Sequence, residues 1–259
     1  MRTIAIANHK GGVGKTAIAH ALGVFLASEY ERRVLLCDLD PQASLTGATG
    51  VGDAGGESLA EVIDGAQAGK LALGEVIRPL GDRLALAPGD IALASCELGL
   101  VARMGRESVL KRALATVAPA YDVAILDCPP SLGLLTVNAL NAAHGVLIPT
   151  QAEVQGLRGL ALFWQSLATV REALNPELEV IGVVPTFYDG RLIHHREALD
   201  AMRAGGMPTL DVTIGRSVRV AESAAVGESV VTFDPSGKRT AELRALTEVV
   251  LEWLEEKRA

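Results

Sequence analysis

The sequence is poor in aromatic residues, which make up 3% of its 259 residues. The core must therefore be built from Ala, Val, Leu and Ile, which suits helices packed closely on a sheet. Stacking platforms for single-stranded nucleic acid need exposed aromatic rings, so that class of site is disfavoured. No apolar run approaches the roughly 20 residues that span a membrane, and the N-terminal stretch MRTIAIANHKGG does not resemble a signal peptide. We expect a cytoplasmic protein.

Cysteine is scarce as well, and positive charge is in deficit. Cys37, Cys96 and Cys128 are odd in number and show no CxxC spacing, which argues against disulfides and structural zinc. We expect these thiols to be reduced and buried. The 24 Lys and Arg residues oppose 31 Asp and Glu residues, a net charge of −7. Such a protein binds DNA only through a local basic patch.

Short apolar runs alternate with longer helical patterns along the whole chain. Several runs are apolar on both faces, as in parallel strands covered by helices on each side. The predicted strands lie at 2–8, 33–40, 83–89, 121–129, 145–151, 178–188 and 210–214. The predicted helices lie at 16–30, 91–117, 132–143, 155–174, 191–204 and 240–257. This alternation predicts an α/β fold with a doubly wound, mainly parallel sheet, helices on both faces and a single domain over 1–259.

The region 47–80 has the weakest pattern. Its glycine-rich stretch GATGVGDAGGE, 47–57, predicts a mobile loop. The stretches SLAEVIDG, 58–65, and LALGEVI, 71–77, predict short surface helices. We recognise no internal repeat and no interdomain linker in the sequence.

The stretch HKGGVGKTA, residues 9–17, lies between an apolar strand and an alanine-rich helix. Strand, glycine-rich turn and helix is the context that a phosphate-binding loop requires. The glycines let successive N–H groups converge on an anion, and the helix start adds its positive dipole. Lys15 is placed for the β- and γ-phosphates and Thr16 for Mg²⁺. The predicted cofactor-binding residues are Lys10, Gly11, Gly12, Val13, Gly14, Lys15, Thr16 and Ala17.

Carboxylates end two further apolar runs. Asp38 and Asp40 close LLCDLDPQ, and Asp127 closes VAILDCPPS. An aspartate at the carboxyl end of a parallel strand beside a phosphate loop is positioned to hold Mg²⁺, usually through water. The residues therefore predict a site for Mg-ATP or Mg-GTP, but they leave unexplained a second lysine, Lys10, at the mouth of the loop.

The motifs together resemble the ParA (Soj-like) partition ATPases of the MinD/ParA deviant Walker A group. The resemblance rests on KGGVGKT, LLCDLDPQASLTG, YDVAILDCPPSLGLLTVNAL and GVLIPTQAE, and continues through GVVPTFYDGR, GRSVRVAES and FDPSGKRTAEL. It covers nearly the whole chain and implies a slow ATPase that is monomeric with ADP. With ATP it would close into a nucleotide-sandwich homodimer.

The resemblance also implies roles for single residues. Lys10 would reach across the dimer to the partner's ATP, where its charge acts as an arginine finger does. Lys15 and Asp40 would be catalytic, with Asp40 positioning the attacking water. Thr16, Asp38 and Asp127 would support Mg²⁺, and DLDPQAS and DCPPS would be the two switch regions.

Family members of this type bind double-stranded DNA without sequence preference when dimeric, and a ParB-like partner stimulates hydrolysis. The resemblance implies DNA contacts by Arg191, Arg216 and Arg219, and Lys238 is a further candidate, so we expect nucleoid association. Composition gives modest support, because 186–244 holds eight Lys or Arg and eight Asp or Glu, so the rest of the chain carries the whole net charge of −7.

Some positions depart from the family pattern. Ala17 stands where threonine or serine is common, which removes one expected α-phosphate contact. Glu228 stands where a lysine is common, which removes positive charge from the surface expected to meet DNA. Gly215, Ala224 and Ser229 stand where family members often carry prolines.

Three related functions stay open as alternatives. A MinD-like membrane ATPase needs a basic amphipathic C-terminal helix, whereas TAELRALTEVVLEWLEEKRA is acidic and is expected to pack on the domain. An iron–sulfur reductase would bridge a cluster through cysteines, but neither Cys96 nor Cys128 sits in a glycine-rich loop. Positioning of a protein cargo instead of DNA uses the same nucleotide chemistry, and the sequence does not separate the two.

Overall fold

The first strand, β1 (Arg2–Ile6), lies inside a seven-stranded sheet. The structure is a computed structural model that describes residues 1–51, 56–64 and 71–256. The other strands are β2 (Val34–Asp38), β3 (Arg78–Pro79), β4 (Leu84–Ala87), β5 (Val123–Asp127), β6 (Gly145–Gln151) and β7 (Glu179–Thr186). Their order is β3-β4-β2-β5-β1-β6-β7, and only the β3–β4 pair is antiparallel among them. The predicted doubly wound, mainly parallel sheet is confirmed.

Helices connect these strands across both faces of the sheet. The first six are α1 (Lys15–Ser28), α2 (Ser44–Ala48), α3 (Leu59–Asp64), α4 (Leu73–Val76), α5 (Ala92–Leu100) and α6 (Val109–Val117). The next six are α7 (Leu134–Ala142), α8 (Val154–Ala173), α9 (Ile193–Ala204), α10 (Val218–Ala225), α11 (Val230–Phe233) and α12 (Lys238–Glu256).

Alternate residues of the strands build two separate cores. In β1, Ile4 packs with α1 and α12 on one face, while Ala5 packs with α5, α7 and α8 on the other. In β5, Ile125 and Leu126 divide in the same way. Successive strand side chains point to opposite faces, so a strand that is apolar throughout needs helices on both sides.

The strand order changes direction at β1. From β1 the chain crosses to β2 and β4, returns to β5 beside β1, and then continues to β6 and β7 on the other side. A crevice forms outside the carboxyl ends of the strands at such a reversal. Asp38 pairs in register with Asp127, and Asp127 with Ile6, so the loops that follow β1, β2 and β5 meet at this crevice.

The structure corrects two of the predicted elements. The strand predicted at 210–214 is not a strand of the described sheet, because only single bridges join this part of the chain to β7: Thr209, directly before the segment, to Val183, and Ile214 to Thr186. The single helix predicted at 91–117 is two helices, α5 and α6, since Gly105 adopts φ 63° and breaks the helical path before a 3₁₀ turn at Arg106–Ser108.

The region 47–80 is partly described. The two predicted short helices are confirmed as α3 and α4. The loop predicted at 47–57 begins inside α2, and its residues 52–55 lie outside the described residues. The edge strand β3 and the helices α2, α10 and α11 were not predicted. Strand β3 and helices α2 and α11 have two to five residues, too few to show a hydrophobic period; α10 has eight residues and was missed.

Candidate nucleotide site and basic groove

The phosphate-binding loop joins β1 to α1 at the crevice. Gly12 has φ 66° and Gly14 has φ 92°, backbone conformations that favour glycine and that turn successive N–H groups inward. Asn8 anchors the loop, because its Nδ2 donates to the Pro149 carbonyl at 2.7 Å and its Oδ1 accepts from the Lys10 N–H at 3.1 Å. The loop is therefore held in an anion-binding shape by neighbouring strands.

The two lysines of the loop occupy different places. Lys15 is 7% exposed, lines the cleft, and donates from Nζ to the Lys10 carbonyl at 3.2 Å. Burial lowers the pKa of Lys15, although Asp127 opposes this shift. The Lys10 ammonium instead donates to Gln151 Oε1 at the end of β6, and Lys10 is not among the described residues that line the cleft. A buried lysine such as Lys15 is stabilised in its charged form by an anionic ligand in the cleft. The Lys10 ammonium lies outside the described lining of the cleft, on Gln151.

Thr16 and Asp127 form the candidate magnesium site. The Thr16 hydroxyl donates to Asp127 Oδ2 at 2.7 Å, and Asp127 Oδ1 is buried with no hydrogen-bond partner within the described part of the chain. Burial and the neighbouring Asp38 raise the pKa of Asp127 well above its usual range. A buried carboxylate oxygen of this kind fits a hydrated cation.

Asp38 already has partners of its own. Its Oδ2 accepts from the backbone N–H and the hydroxyl of Thr46, both at 2.8 Å, and its Oδ1 accepts from the Asp40 N–H at 3.2 Å. Burial raises the pKa of Asp38 to about 6. In this structure Asp38 therefore organises the segment 40–46, and its predicted role toward Mg²⁺ stays a prediction.

No group of three or more His, Cys, Asp or Glu side chains forms a metal site within residues 1–51, 56–64 and 71–256. Mg²⁺ in nucleotide sites is usually held by one or two protein oxygens together with phosphate oxygens and water. The Thr16–Asp127 pair fits this kind of site, and its predicted role toward Mg²⁺ stays a prediction.

Asp40 lies on the wall of the cleft, in the predicted first switch region. Its Oδ1 accepts from the Gln42 N–H at 2.9 Å. Ala43, directly before α2, adopts φ 51°, which is rare for a residue other than glycine. Strained backbone of this kind concentrates at functional sites, which agrees with a segment that responds to ligand.

The cleft has a volume of about 410 Å³ and extends from the phosphate loop toward α10 and α11. The sequence did not predict its far wall, which consists of Phe187, Val220, Ser223, Ala224, Glu228, Ser229 and Val230. Ser217 and Ser229 cap α10 and α11 by accepting from backbone N–H groups. A serine ahead of an apolar run is a helix-start signal, and it was the available clue to these helices.

His20 also lines this cleft, from the first turns of α1. It is 7% exposed, and burial lowers the pKa of His20 to about 4. The imidazole is therefore neutral near physiological pH and adds no charge to the site.

A second cavity of about 860 Å³ lies on the other side of Phe187, and we call it the basic groove. Arg191, Arg216 and Lys238, three of the four predicted DNA contacts, line it, together with Arg239. The fourth, Arg219, is outside this lining: it pairs with Glu222 at 3.1 Å and lies over the Phe233 ring.

Two of the cations in the basic groove are neutralised locally. Arg191 pairs with Asp189 at 2.7 Å, and Arg239 pairs with Glu242 at 3.0 Å. Hydrogen bonds from Arg191 hold the pKa of Asp189 well below its usual range. Arg216 and Lys238 have no carboxylate partner among the residues that the structure describes, so they carry the groove's uncompensated charge.

The structure also bears on the alternatives. Leu243, Leu246 and Val250 of α12 are at most 2% exposed and pack against the sheet, which confirms that this helix lies on the domain. In the described part of the chain, no helix has the length and apolarity to cross a bilayer. Cys96 and Cys128 are 8% and 0% exposed, so neither thiol is presented for a cluster shared between two chains.

A phosphate loop at the reversal point of a doubly wound sheet, with Thr16 beside Asp127, defines a phosphate-loop nucleoside triphosphatase. The AAA domain family model matches residues 1–180. The chromosome-partitioning ATPase Soj of Thermus thermophilus is 37% identical over 258 residues, 99% of this chain and 98% of that protein. The sporulation initiation inhibitor protein Soj of Bacillus subtilis is 37% identical over 246 residues, 92% of this chain and 93% of that protein.

One solved structure extends the comparison. Cobyrinic acid a,c-diamide synthase from Mycobacterium smegmatis, with a bound ATP analogue and magnesium, is 38% identical with a TM-score of 0.78, over 92% of this chain and 98% of that chain. Fold, site and relatives agree, and the chain belongs to the ParA/Soj family of partition ATPases.

Proposed function

We propose that this protein is an ATPase that dimerises on ATP, binds double-stranded DNA without sequence preference in that state, and drives the segregation or positioning of chromosome or plasmid DNA. A ParB-like partner stimulates its slow hydrolysis and releases it from DNA. It works in the cytoplasm, associated with the nucleoid. Relatives that carry the name Soj, one of them a chromosome-partitioning ATPase, support this function.

ATP with Mg²⁺ is the ligand of the cleft. The loop N–H groups and Lys15 hold the phosphates, while Thr16 and Asp127 hold the cation, which neutralises developing phosphate charge when bound. Asp40 orients the attacking water from the wall of the cleft. Residues 187 and 220–230 enclose the remainder of the nucleotide.

The observation that carries the proposal is the separation of the two lysines. Lys15 lies in the chain's own cleft, whereas the Lys10 ammonium is held by Gln151 outside it. A lysine on the rim of the loop can reach a nucleotide bound by a second copy. Two facing ATP molecules carry heavy negative charge, which a lysine from each copy offsets.

The basic groove supports the DNA part of the proposal. It holds four cations against two carboxylates, and its free charges are Arg216 and Lys238. Contact through phosphates alone reads no base sequence. A dimer doubles this local charge on an otherwise acidic protein.

The test is binding of Asp40→Ala protein to an arbitrary duplex, with ATP and with ADP, across a salt series. This change removes the water-orienting carboxylate and should hold the ATP state. We expect binding with ATP only, with log affinity falling at about −0.9 per phosphate contacted as log salt rises. The matched variant Lys10→Ala should bind ATP, stay monomeric and lose duplex binding.

The outcomes separate the alternatives. An ATP-bound dimer that binds no duplex at low salt contradicts the DNA assignment and leaves a protein cargo or a membrane as the target. Normal dimerisation and turnover by Lys10→Ala contradicts the role of Lys10.

The likeness to cobyrinic acid a,c-diamide synthase supports a second candidate, ATP-driven amide formation on a corrin acid. The two reactions differ in what ATP turnover requires. Turnover that needs a cobyrinic acid and an ammonia donor, and that duplex DNA leaves unchanged, would favour the synthase.

A further inference from the structure

Phe187 has an unusual backbone. It directly follows β7 and adopts φ 53°, a left-handed conformation that is uncommon for a bulky residue. Residues persist in such conformations only where the surrounding structure over-determines them. The backbone at Phe187 is therefore held in this conformation by the structure around it.

Phe187 contributes to the lining of two cavities. It lines the nucleotide cleft and also the basic groove. On the groove side, the Arg216 guanidinium lies 5.1 Å from the centre of the ring, within the range of a cation–π contact. Arg216 itself is exposed and lines only the groove.

Two hydrogen bonds hold the chain directly before Arg216. The Gly215 N–H donates to Glu242 of α12 at 2.9 Å, and the Ile214 carbonyl accepts from the Tyr188 N–H at 3.1 Å. Just after Arg216, α10 begins and presents Val220 and Ser223 to the nucleotide cleft. Arg216 therefore has little freedom to move independently of the cleft wall.

We propose that Phe187 is a positioning residue that couples the nucleotide cleft to Arg216 of the basic groove. A nucleotide in the cleft packs against the Phe187 ring and shifts it, and this shift changes the contact between the ring and the Arg216 guanidinium in the basic groove. The inference rests on the proposed function, because it deepens how ATP controls DNA binding. Coupling of two ligands through one contact is reciprocal, so Arg216 must also influence the nucleotide.

The first experiment measures that influence without any DNA. The dissociation rate of a fluorescent ATP analogue with Mg²⁺ is compared between wild type, Arg216→Gln and Arg203→Gln. Arg203 is the control, since it too is an arginine on the surface but lines neither cavity; unlike Arg216, it is paired with a carboxylate, that of Asp211. We expect release to change by at least about threefold in Arg216→Gln, the effect of one exposed cation–π contact, and not in the control. Equal rates in all three proteins overturn the proposal, because a residue that only contacts DNA leaves this rate unchanged.

The second experiment measures the ratio of duplex affinities with ATP and with ADP, for variants whose ATP-dependent dimers are verified by sedimentation. Phe187→Leu removes the ring and should bring the ratio close to one, whereas Phe187→Tyr keeps the ring and should retain the wild-type ratio. A dimeric Phe187→Leu protein with the full ratio overturns the proposal. If the wild-type protein shows no ATP-dependent duplex binding, the result contradicts the proposed function and not the coupling. The nucleotide release rates of the first experiment then test the coupling by themselves.

Discussion

The Thr16 hydroxyl donates to one oxygen of Asp127 at 2.7 Å, while the other oxygen of Asp127 is buried without a partner in the described structure. The pair joins the start of α1 to the end of β5. An unpaired buried carboxylate oxygen is costly for stability. Its retention beside a phosphate loop indicates a site built for a cation and not for stability.

We expect Asp127→Asn to stabilise the nucleotide-free protein while abolishing hydrolysis. Burial and Asp38 raise the pKa of Asp127. Protonated Asp127 therefore adds to the free energy of unfolding. This contribution is complete below the pKa of an unfolded aspartate, ~3.9. It is lost as pH rises through the higher pKa of Asp127 in the folded chain. Near neutral pH the amide should raise the free energy of unfolding by about 1–2 kcal/mol. Urea unfolding of both proteins across pH, without Mg²⁺, measures the difference.

Thr16→Ser is the control for that measurement, because it keeps the hydroxyl that donates to Asp127. It should unfold within about 0.5 kcal/mol of wild type and keep magnesium-dependent turnover. An Asp127→Asn protein that is less stable than wild type at every pH would contradict this prediction, because it would show that the Asp127 carboxyl group stabilises the folded chain.

Lys15→Ala should abolish nucleotide binding. Lys15 is buried in the cleft, and the proposed charged contacts with two phosphates would be worth about 3 kcal/mol or more, at least about 100-fold in affinity. Titration with a fluorescent ATP analogue measures this loss. Lys10→Ala, on the same loop, should bind within about threefold of wild type. Equal loss in the two variants would argue that both lysines serve one nucleotide.

His20 should contribute acid sensitivity. Its pKa is about 4 in the folded chain and about 6.5 when unfolded. As pH falls, the unfolded state therefore binds a proton at His20 before the folded state does. The contribution of neutral His20 to the free energy of unfolding is complete above about pH 6.5 and is lost as pH falls toward about 4. His20→Gln should reduce the loss of unfolding free energy over that window by about 2–3 kcal/mol. Parallel acid-unfolding curves of wild type and variant would contradict the burial of this imidazole.

Gly227→Ala should destabilise the wall of the nucleotide cleft. Gly227 has φ 73°, and a Cβ there would lie 2.6 Å from the Cα of Gly50, just after α2. Gly206→Ala is matched, since Gly206 has φ 72° with nothing within 4 Å of its Cβ position. We expect a cost of about 1 kcal/mol for Gly206→Ala from the backbone alone and about 2–4 kcal/mol for Gly227→Ala. Thermal unfolding compares them, and equal costs would show that the Gly50–Gly227 approach relaxes freely.

The sequence predicted most of the sheet because its parallel strands are continuous apolar runs. It also predicted the phosphate loop, since strand, glycine-rich turn and helix are adjacent along the chain. Where it was wrong, the reason is local. Gly105 breaks a helical pattern that looks continuous, and 210–214 has strand composition but meets the sheet only through single bridges.

By itself, the sequence determined the identity and spacing of the chemical groups: Lys10 and Lys15 on one loop, and Asp38, Asp40 and Asp127 after strands. Only the tertiary structure decided how those groups divide their work. In the described structure Asp38 accepts a hydrogen bond from Thr46, one oxygen of Asp127 has no hydrogen-bond partner, and Phe187 lines two cavities. The physical reason is that these relations join residues far apart in the chain, and only the packing of strands and helices brings them within reach.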